Sequence, residues 1–355
     1  MTSNKLTPIS KLGEFKLIEH LTKNATLQNP SSIKGVGDDA AVIYAKDKVT
    51  LVSTDLLVEG IHFDLMYSPL KHLGYKAVAV NLSDIYAMNG KPKQITVSLA
   101  LSSRFTVEAL EELYAGILLA CETYHVDLVG GDTSSSNKGF IISITAVGEV
   151  EPSEIVYRNT AKVGDYICMS GNLGAAYLGL QILEREKQVY QEMASMQPDL
   201  ADYKYLIQRQ LKPEPRHDII DVLQQMKVKP TAMIDISDGL SSDLLHICRQ
   251  SEVGCRIFET NIPMHPKSVE IAKMFQVSPI TCALNGGEDY ELLFTVAPED
   301  VKRIEDIFGI AIIGRITEKT EGYKLFTSAN QSFDLVAQGW NCLLYTSPSP
   351  RDTLL

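Results

Sequence analysis

The apolar positions along the chain fall into a succession of short elements. Residues 11–23, KLGEFKLIEHLTK, place Leu12, Phe15, Ile18 and Leu21 at helical spacing. GVGDDAAVIY then leads into a strand, and KVTLVSTDLLVEGIHF follows with the β-branched residues that suit a pleated surface. Residues 68–89 read as a long helix, with Pro69 near its start and Gly90 and Pro92 closing it. QITVSLAL predicts a strand and 106–124 a second helix. VDLV is a short strand that runs into GGDTSSS, and FIISITAVGEV alternates as a further strand.

A polar stretch within VEPSEIVYRNTAKVGDYICMSG separates two apolar runs and places a domain boundary near residue 155. Beyond it come a Gly-rich turn and helix, a polar region from 185 to 213, MIDISDGLSSDLLHICRQ as strand into helix, and LNGGEDYELLFTV as turn into strand. Small elements continue to Trp340. Strands and helices alternate in both parts, which predicts two α/β domains, residues 1–155 and 156–340. The last residues, 341–355, carry Ser-Pro-Ser-Pro, which holds neither a helix nor a central strand, and read as a disordered, non-native tail.

Composition narrows the function. At 355 residues the chain accommodates two cores, at ~150 residues each. A net charge of −11 and the lack of any basic run argue against nucleic acid, whose backbone is gripped by clustered Lys and Arg. No window approaches the ~20 apolar residues of a membrane span, and the N-terminus lacks a secretory h-region. Six scattered cysteines without zinc spacing fit reduced thiols, so a cytoplasmic protein is expected.

The chemistry lies in the acids. Asp38 and Asp39 sit in GVGDDAA, Asp55 ends LVSTD, Asp84 belongs to NLSDI and Asp132 to VGGDT. Asp235 and Asp238 fall in DISDGL, and Glu288 and Asp289 in NGGEDY. Any one of them reads most simply as a turn or cap residue. Several at strand ends and Gly-rich turns together point to hard cations, because unpaired buried carboxylates cost several kcal/mol each. Gly130-Gly131 and Gly286-Gly287 would let backbone N–H groups approach phosphates. Residues 170–174, SGNLG, open a helix, and serve either as an anion site or as tight strand-to-helix packing. A Walker A sequence is absent. Gly35-x-Gly37-x-x-Ala40 has the form of a dinucleotide fingerprint but leads into a strand, so it is rejected. His62 and Arg158, by spacing alone, read as packed or surface residues.

GVGDDAAV, STDLLVEGIHF, NLSDIYAM, LVGGDT, DISDGLSSD and NGGEDYELL, in this order and at these separations, resemble the thiamine-monophosphate kinases. These belong to an ATP-binding superfamily with aminoimidazole-ribotide synthase, selenophosphate synthetase and a hydrogenase-maturation protein. The resemblance covers residues 12–340. It implies phosphoryl transfer from ATP to thiamine monophosphate with several Mg²⁺ ions and no covalent enzyme intermediate. By motif, it implies Asp38, Asp55, Asp84, Asp132 and Asp235 as metal ligands, with Ser53, Thr54 and Asp238 adding contacts. Tyr114, Gly131, Arg158 and Ser237 would meet ATP, and His62, Glu288 and Trp340 the thiamine phosphate. The implied fold is that of aminoimidazole-ribotide synthase. Its N-terminal domain binds ATP and Mg²⁺ and pairs its sheet with that of a second subunit into a barrel, which makes a homodimer. AMNGKP and the tail depart from the family pattern. Another enzyme of the superfamily, or a non-catalytic binder of thiamine phosphates or nucleotides, is the alternative. A selenophosphate synthetase would carry a reactive Cys in an N-terminal Gly-rich loop, whereas the first Cys here is Cys121 on a predicted helix.

Overall fold

The computed structural model describes residues 32–34, 37–102, 105–193, 200–329 and 331–338. The expected N-terminal helix, Trp340 and the tail lie outside the described residues. Two mixed sheets, each with helices, make up the molecule, in agreement with the α/β class.

The first sheet holds β1 (Ser32–Lys34), β2 (Ala41–Ala45), β3 (Lys48–Val58), β4 (Lys91–Leu101), β5 (Asp127–Ser135) and β6 (Ile141–Val150), in the order β1-β2-β3-β6-β4-β5. Neighbours are antiparallel except β4 and β5. In β6 every second residue is buried, the period of a strand with one covered face. That cover is α1 (Leu70–Ala87) with α2 (Val107–Tyr124) packed on it. Two glycines let these helices meet. A Cβ on Gly74 would stand 2.0 Å from the Leu113 carbonyl oxygen, and one on Gly116 1.9 Å from that of Lys71. Fourteen of the eighteen residues of α1 are buried, so it is an internal helix, enclosed by the sheet, α2 and the second half of the chain.

The second sheet holds β7 (Tyr166–Ser170), β8 (Ala232–Asp235), β9 (Gly254–Phe258), β10 (Leu292–Val296), β11 (Ile310–Thr317), β12 (Tyr323–Phe326) and β13 (Ser332–Asp334), in the order β13-β12-β9-β11-β7-β10-β8. Its helices are α3 (Ala175–Glu192), α4 (Lys204–Leu211), α5 (His217–Gln225), α6 (Leu240–Gln250), α7 (Pro266–Met274) and α8 (Pro279–Asn285).

One local expectation differs from the fold, and two helices were not anticipated. The strand read from VDLV does not stop at a Gly-rich turn, since β5 continues through Gly130, Gly131 and Asp132 beside β4. A Cβ at Gly131 would lie 1.9 Å from the Val97 carbonyl oxygen, so this glycine is needed for strand contact. Helices α7 and α8 lie almost wholly in residues 251–283, for which the sequence reading named no element. Both begin with proline at the first helical position, a start signal that was there to be read.

Candidate active site

Three chain segments bring carboxylates together where the halves meet. Asp39 lies in the bend between β1 and β2, Asp84 in the last turns of α1, and Asp235 at the end of β8. One oxygen from each lies within 4.8 Å of the others, close enough to share an ion. Hydroxyls behind them fix their orientation. Ser53 Oγ donates to Asp84 Oδ2, and Ser83 Oγ donates to Asp235 Oδ2 at 2.6 Å.

The electrostatics are those of an under-neutralised site. Burial pushes the Asp39 carboxyl up to about 8; Arg158 opposes this, while Asp235 and Asp38 add to it. Burial, then Asp55, Asp235 and Asp39, raises Asp84 well above the carboxylate range, and burial raises Asp235. Asp243, inside α6, is raised by burial and by Asp238 and Asp235, and accepts from the Asp238 N–H at 3.2 Å. Arg158 is the cation at this cluster. Its Nη2 stands 2.6 Å from Asp39 and its Nε 3.3 Å from Asp38. Burial works against its charge, but Asp39 and Asp38 hold it above the ordinary arginine value. Asp38 also pairs with Lys34. Within GVGDDAA, then, Asp38 is bound by two cations and Asp39 faces the other acids. The resemblance implied Asp38 as the metal ligand of this pair, whereas it is Asp39 whose oxygen lies within 4.8 Å of those of Asp84 and Asp235.

A cleft of about 810 Å³ adjoins the cluster, lined from both halves. Asp55, His62, Ser237, Asp238 and Glu288 line it. The Asp55 N–H donates to Asn81 Oδ1 at 3.0 Å, tying the strand to α1. His62 Nδ1 accepts from the Val58 N–H at 3.0 Å, which in a neutral ring leaves the proton on Nε2. Glu288 sits in a tight turn at φ 57°, where its N–H donates to the Ser237 carbonyl at 2.7 Å. Its carboxylate is clamped by Lys76 of α1 at 2.9 Å and by Gln210 Nε2 of α4 at 2.7 Å. Asn81 and Ser83 fall inside NLSDIYAM, where only Asp84 was singled out, and Lys76 and Gln210 lie in none of the quoted motifs.

Other expected residues are placed apart. Across the first sheet, Leu56, Ser143, Ser98 and Asp132 stand in one row, and Asp55, Ile144, Val97 and Gly131 in the next. Paired residues share a face and successive rows alternate. Asp132 therefore projects from the uncovered face, opposite to Asp55 and roughly 14 Å away along the sheet at three strand spacings. Thr54 lies on that same face, its hydroxyl donating to the Ile144 carbonyl at 3.0 Å. Tyr114 is half-buried on α2 against the core. At SGNLG the packing reading prevails. The α3 N-terminus is capped by Asp289, which accepts from the Gly174 N–H at 2.7 Å and the Ala176 N–H at 3.2 Å.

With this geometry the chain was compared with known proteins. The family models for the AIR synthase related protein match residues 37–150 (N-terminal domain) and 162–324 (C-terminal domain). A thiamine-monophosphate kinase of Bacillus subtilis strain 168 is 35% identical over 336 residues, covering 93% of this chain and 99% of its own. One from Aquifex aeolicus strain VF5 is 37% identical over 327 residues, covering 90% and 99%. A solved structure described as AaThiL complexed with AMPPCP and TMP superposes with a TM-score of 0.81 at 33% identity, covering 95% of this chain and 99% of that one. The chain belongs to the AIR synthase-related family, within its thiamine-monophosphate kinases.

Proposed function

We propose that the chain transfers the γ-phosphoryl group of ATP to thiamine monophosphate, giving thiamine diphosphate and ADP. The observation that carries this reading is the Asp39–Asp84–Asp235 cluster opening beside a cleft large enough for an organic acceptor. The named activity of the relatives, and the nucleotide analogue and TMP in the AaThiL structure, support it.

The donor set fits Mg²⁺, being all oxygen and short of cations. Asp39, Asp84 and Asp235 would hold it, with Asp55 and Asp238 on the cleft side. Asp38, with its two basic partners, orients the bend that carries Asp39. An ion held by these carboxylates would supply positive charge against the phosphoryl group in transfer. Ser53 and Ser83 hold the carboxylates in position, and Arg158 works against the burial that favours a protonated Asp39. His62 lines the cleft on the acceptor side, and the clamped Glu288 forms part of the same wall. The acceptor phosphate is an anion at neutral pH, so the chain needs no strong base. Its work is positioning for in-line attack.

Gly131 and Asp132 keep their assignments to nucleotide and metal on the strength of the resemblance, as do Thr54, Tyr114, Ser237 and, outside the described residues, Trp340. A homodimer would let the first two act. In β5 all residues but Leu128 are exposed, and Val129 is 62% exposed on what is, among the described residues, an edge strand. A second copy seated against this sheet would form the barrel and cover that edge. The division into residues 1–155 and 156–340, and a cytoplasmic setting, belong to the same reading.

The test is product chromatography with ATP, Mg²⁺ and either thiamine monophosphate or free thiamine. Thiamine diphosphate formed from the monophosphate, with equimolar ADP and little turnover of free thiamine, is the expected result. Efficient phosphorylation of free thiamine, or ATP use only with an aminoimidazole precursor or selenide, would overturn it. Sedimentation of a fully active monomer at micromolar concentration would remove the dimer.

A further inference from the structure

One wall of the cleft is a stripe of α3. Tyr177, Leu180, Gln181, Glu184 and Lys187 all line it, at the i, i+3, i+4, i+7 and i+10 spacing of a single helix face. The stripe has a direction. A Cβ on Gly286 would lie 2.7 Å from Tyr177 Cβ, so Tyr177 marks the end beside the acidic turn that carries Glu288. Lys187, ten residues on, lies roughly 15 Å away at 1.5 Å per residue. There it pairs with Asp64 at 2.7 Å, next to Glu184, which accepts from Tyr67 Oη at 2.6 Å. Two carboxylates against one ammonium leave this far half with a negative balance, which suits a cationic acceptor.

Most polar side chains on the wall are already engaged. Glu184 is held by Tyr67 and Lys187, and Glu288 by Lys76 and Gln210. Gln181 differs. Its amide makes no hydrogen bond among the described residues, and it faces the cleft one turn beyond Tyr177. A primary amide offers a donor and an acceptor side by side. Thiamine monophosphate carries its phosphate on one side of the thiazolium ring and, on the other, an aminopyrimidine whose amino group and adjacent ring nitrogen present the complementary pair. With the phosphate at the acid cluster, a pyrimidine reaching along α3 would meet Gln181.

We propose that Gln181 is a specificity-determining residue that reads the amino-and-ring-nitrogen edge of the acceptor's pyrimidine. The proposal rests on the thiamine-monophosphate reading above. The donor is the substrate amino group toward Gln181 Oε1, and Gln181 Nε2 donates to the ring nitrogen. No bond is made or broken. An acceptor with a carbonyl in place of the amino group presents the wrong pattern and leaves polar groups unpaired in the complex.

The experiment compares wild type, Gln181→Met and Gln181→Glu with thiamine monophosphate and with oxythiamine monophosphate, in which the amino group is replaced by oxygen. Wild type should prefer the amino acceptor strongly. In Gln181→Met, the KM for thiamine monophosphate should rise about tenfold, the loss of roughly one good hydrogen bond. Its kcat and its KM for ATP should stay within about twofold, and the preference between acceptors should fall by at least the same factor. Gln181→Glu, which keeps an acceptor for the amino group and loses the donor, should retain part of the preference. An unchanged KM and preference in Gln181→Met would overturn the proposal while leaving the kinase reading intact. So would a fall in kcat together with a change in the KM for ATP, which would mark a structural role. A wild type that does not use thiamine monophosphate at all would remove both.

Discussion

Two groups of buried charge lie at the ends of paired strands, one at Asp235 of β8 and one at Glu291 just before β10, and are balanced in opposite ways. Around Glu291, two acids meet two arginines. Arg209 reaches Glu291 at 2.9 Å and lies 3.9 Å from Asp289, Arg216 bonds Glu291 as well, and Ser170 Oγ donates to Glu291 at 2.5 Å. Around Asp235, Asp39, Asp84 and Asp243 are all buried or half-buried, and Arg158 is the cation that reaches them. Desolvation of carboxylates must be offset by partners in either place. The first group is complete within the chain, and its product is a fixed turn at residues 286–290 and a capped α3. The second is incomplete, and what it lacks is positive charge from a ligand. A buried acid that is satisfied marks architecture, whereas a buried acid that is not marks a site.

The largest break expected is in activity. Asp84→Asn or Asp235→Asn should lower kcat/KM by at least about a thousandfold, the scale of losing an electrostatic contact made in the transition state. Neither should lower the melting temperature in the absence of Mg²⁺, because removing one of several like charges relieves repulsion. Asp55→Asn should behave alike. Near-normal turnover at saturating Mg²⁺, or a large loss of metal-free stability, would contradict the division drawn here.

Glu291→Ala should show the opposite pattern. It strands Arg209 and Arg216 without their shared carboxylate, and breaking a buried pair in this way costs about 3–5 kcal/mol. Denaturant unfolding would measure it. A variant as stable as wild type would mean that the network is not structural.

How much of this contrast could be read from the chain depended on local pattern. The strands and the long helices announce themselves by period, and several of the acids stand out at strand ends and Gly-rich turns. The choice between Asp38 and Asp39 was not legible, since it depends on Lys34 and Arg158, the latter 119 residues further on. The side of the sheet taken by Asp132 was hidden for a different reason. GGDT reads as a turn when taken alone, and only the pairing with β4 shows it to be strand, with Gly131 pressed against Val97. Arg209, Gln210 and Lys76 act through contacts across distant segments, and such residues leave no motif.

A smaller effect separates the two groups by pH. The Asp289 carboxyl is pushed from 3.8 up to about 6 by burial, which outweighs Arg209 and the two N–H groups it accepts from. The folded state thus holds this proton more tightly than the unfolded chain does. The resulting stabilisation is complete below about pH 4 and is lost as the pH rises through about 6. Wild type should gain on Asp289→Asn as the pH falls across that window, by at most about 3 kcal/mol. Paired urea melts would show it, and a difference independent of pH would refute it.

The smallest effect expected is at Ser83, and it tests whether the incomplete group is tuned by its neighbours as a metal site should be. Ser83 is buried on α1, and its hydroxyl donates to Asp235 Oδ2 at 2.6 Å. That bond holds one oxygen of a carboxylate that stands close enough to Asp39 and Asp84 to share an ion. Ser83→Ala removes the donor without adding volume, so the fold should lose only about 1 kcal/mol. The carboxylate, now free to rotate, must be ordered when the ion binds, and loss of such an orienting partner weakens metal affinity by roughly 10–100-fold. The Mg²⁺ concentration giving half-maximal rate should therefore rise by about tenfold, while the rate at saturating Mg²⁺ recovers. The balanced group supplies the control. Ser170→Ala removes the hydroxyl that donates to Glu291, and it should cost stability without moving the Mg²⁺ requirement. If both serine variants shifted the Mg²⁺ requirement equally, the two groups would be parts of one network, and the distinction between a satisfied and an unsatisfied cluster would fail.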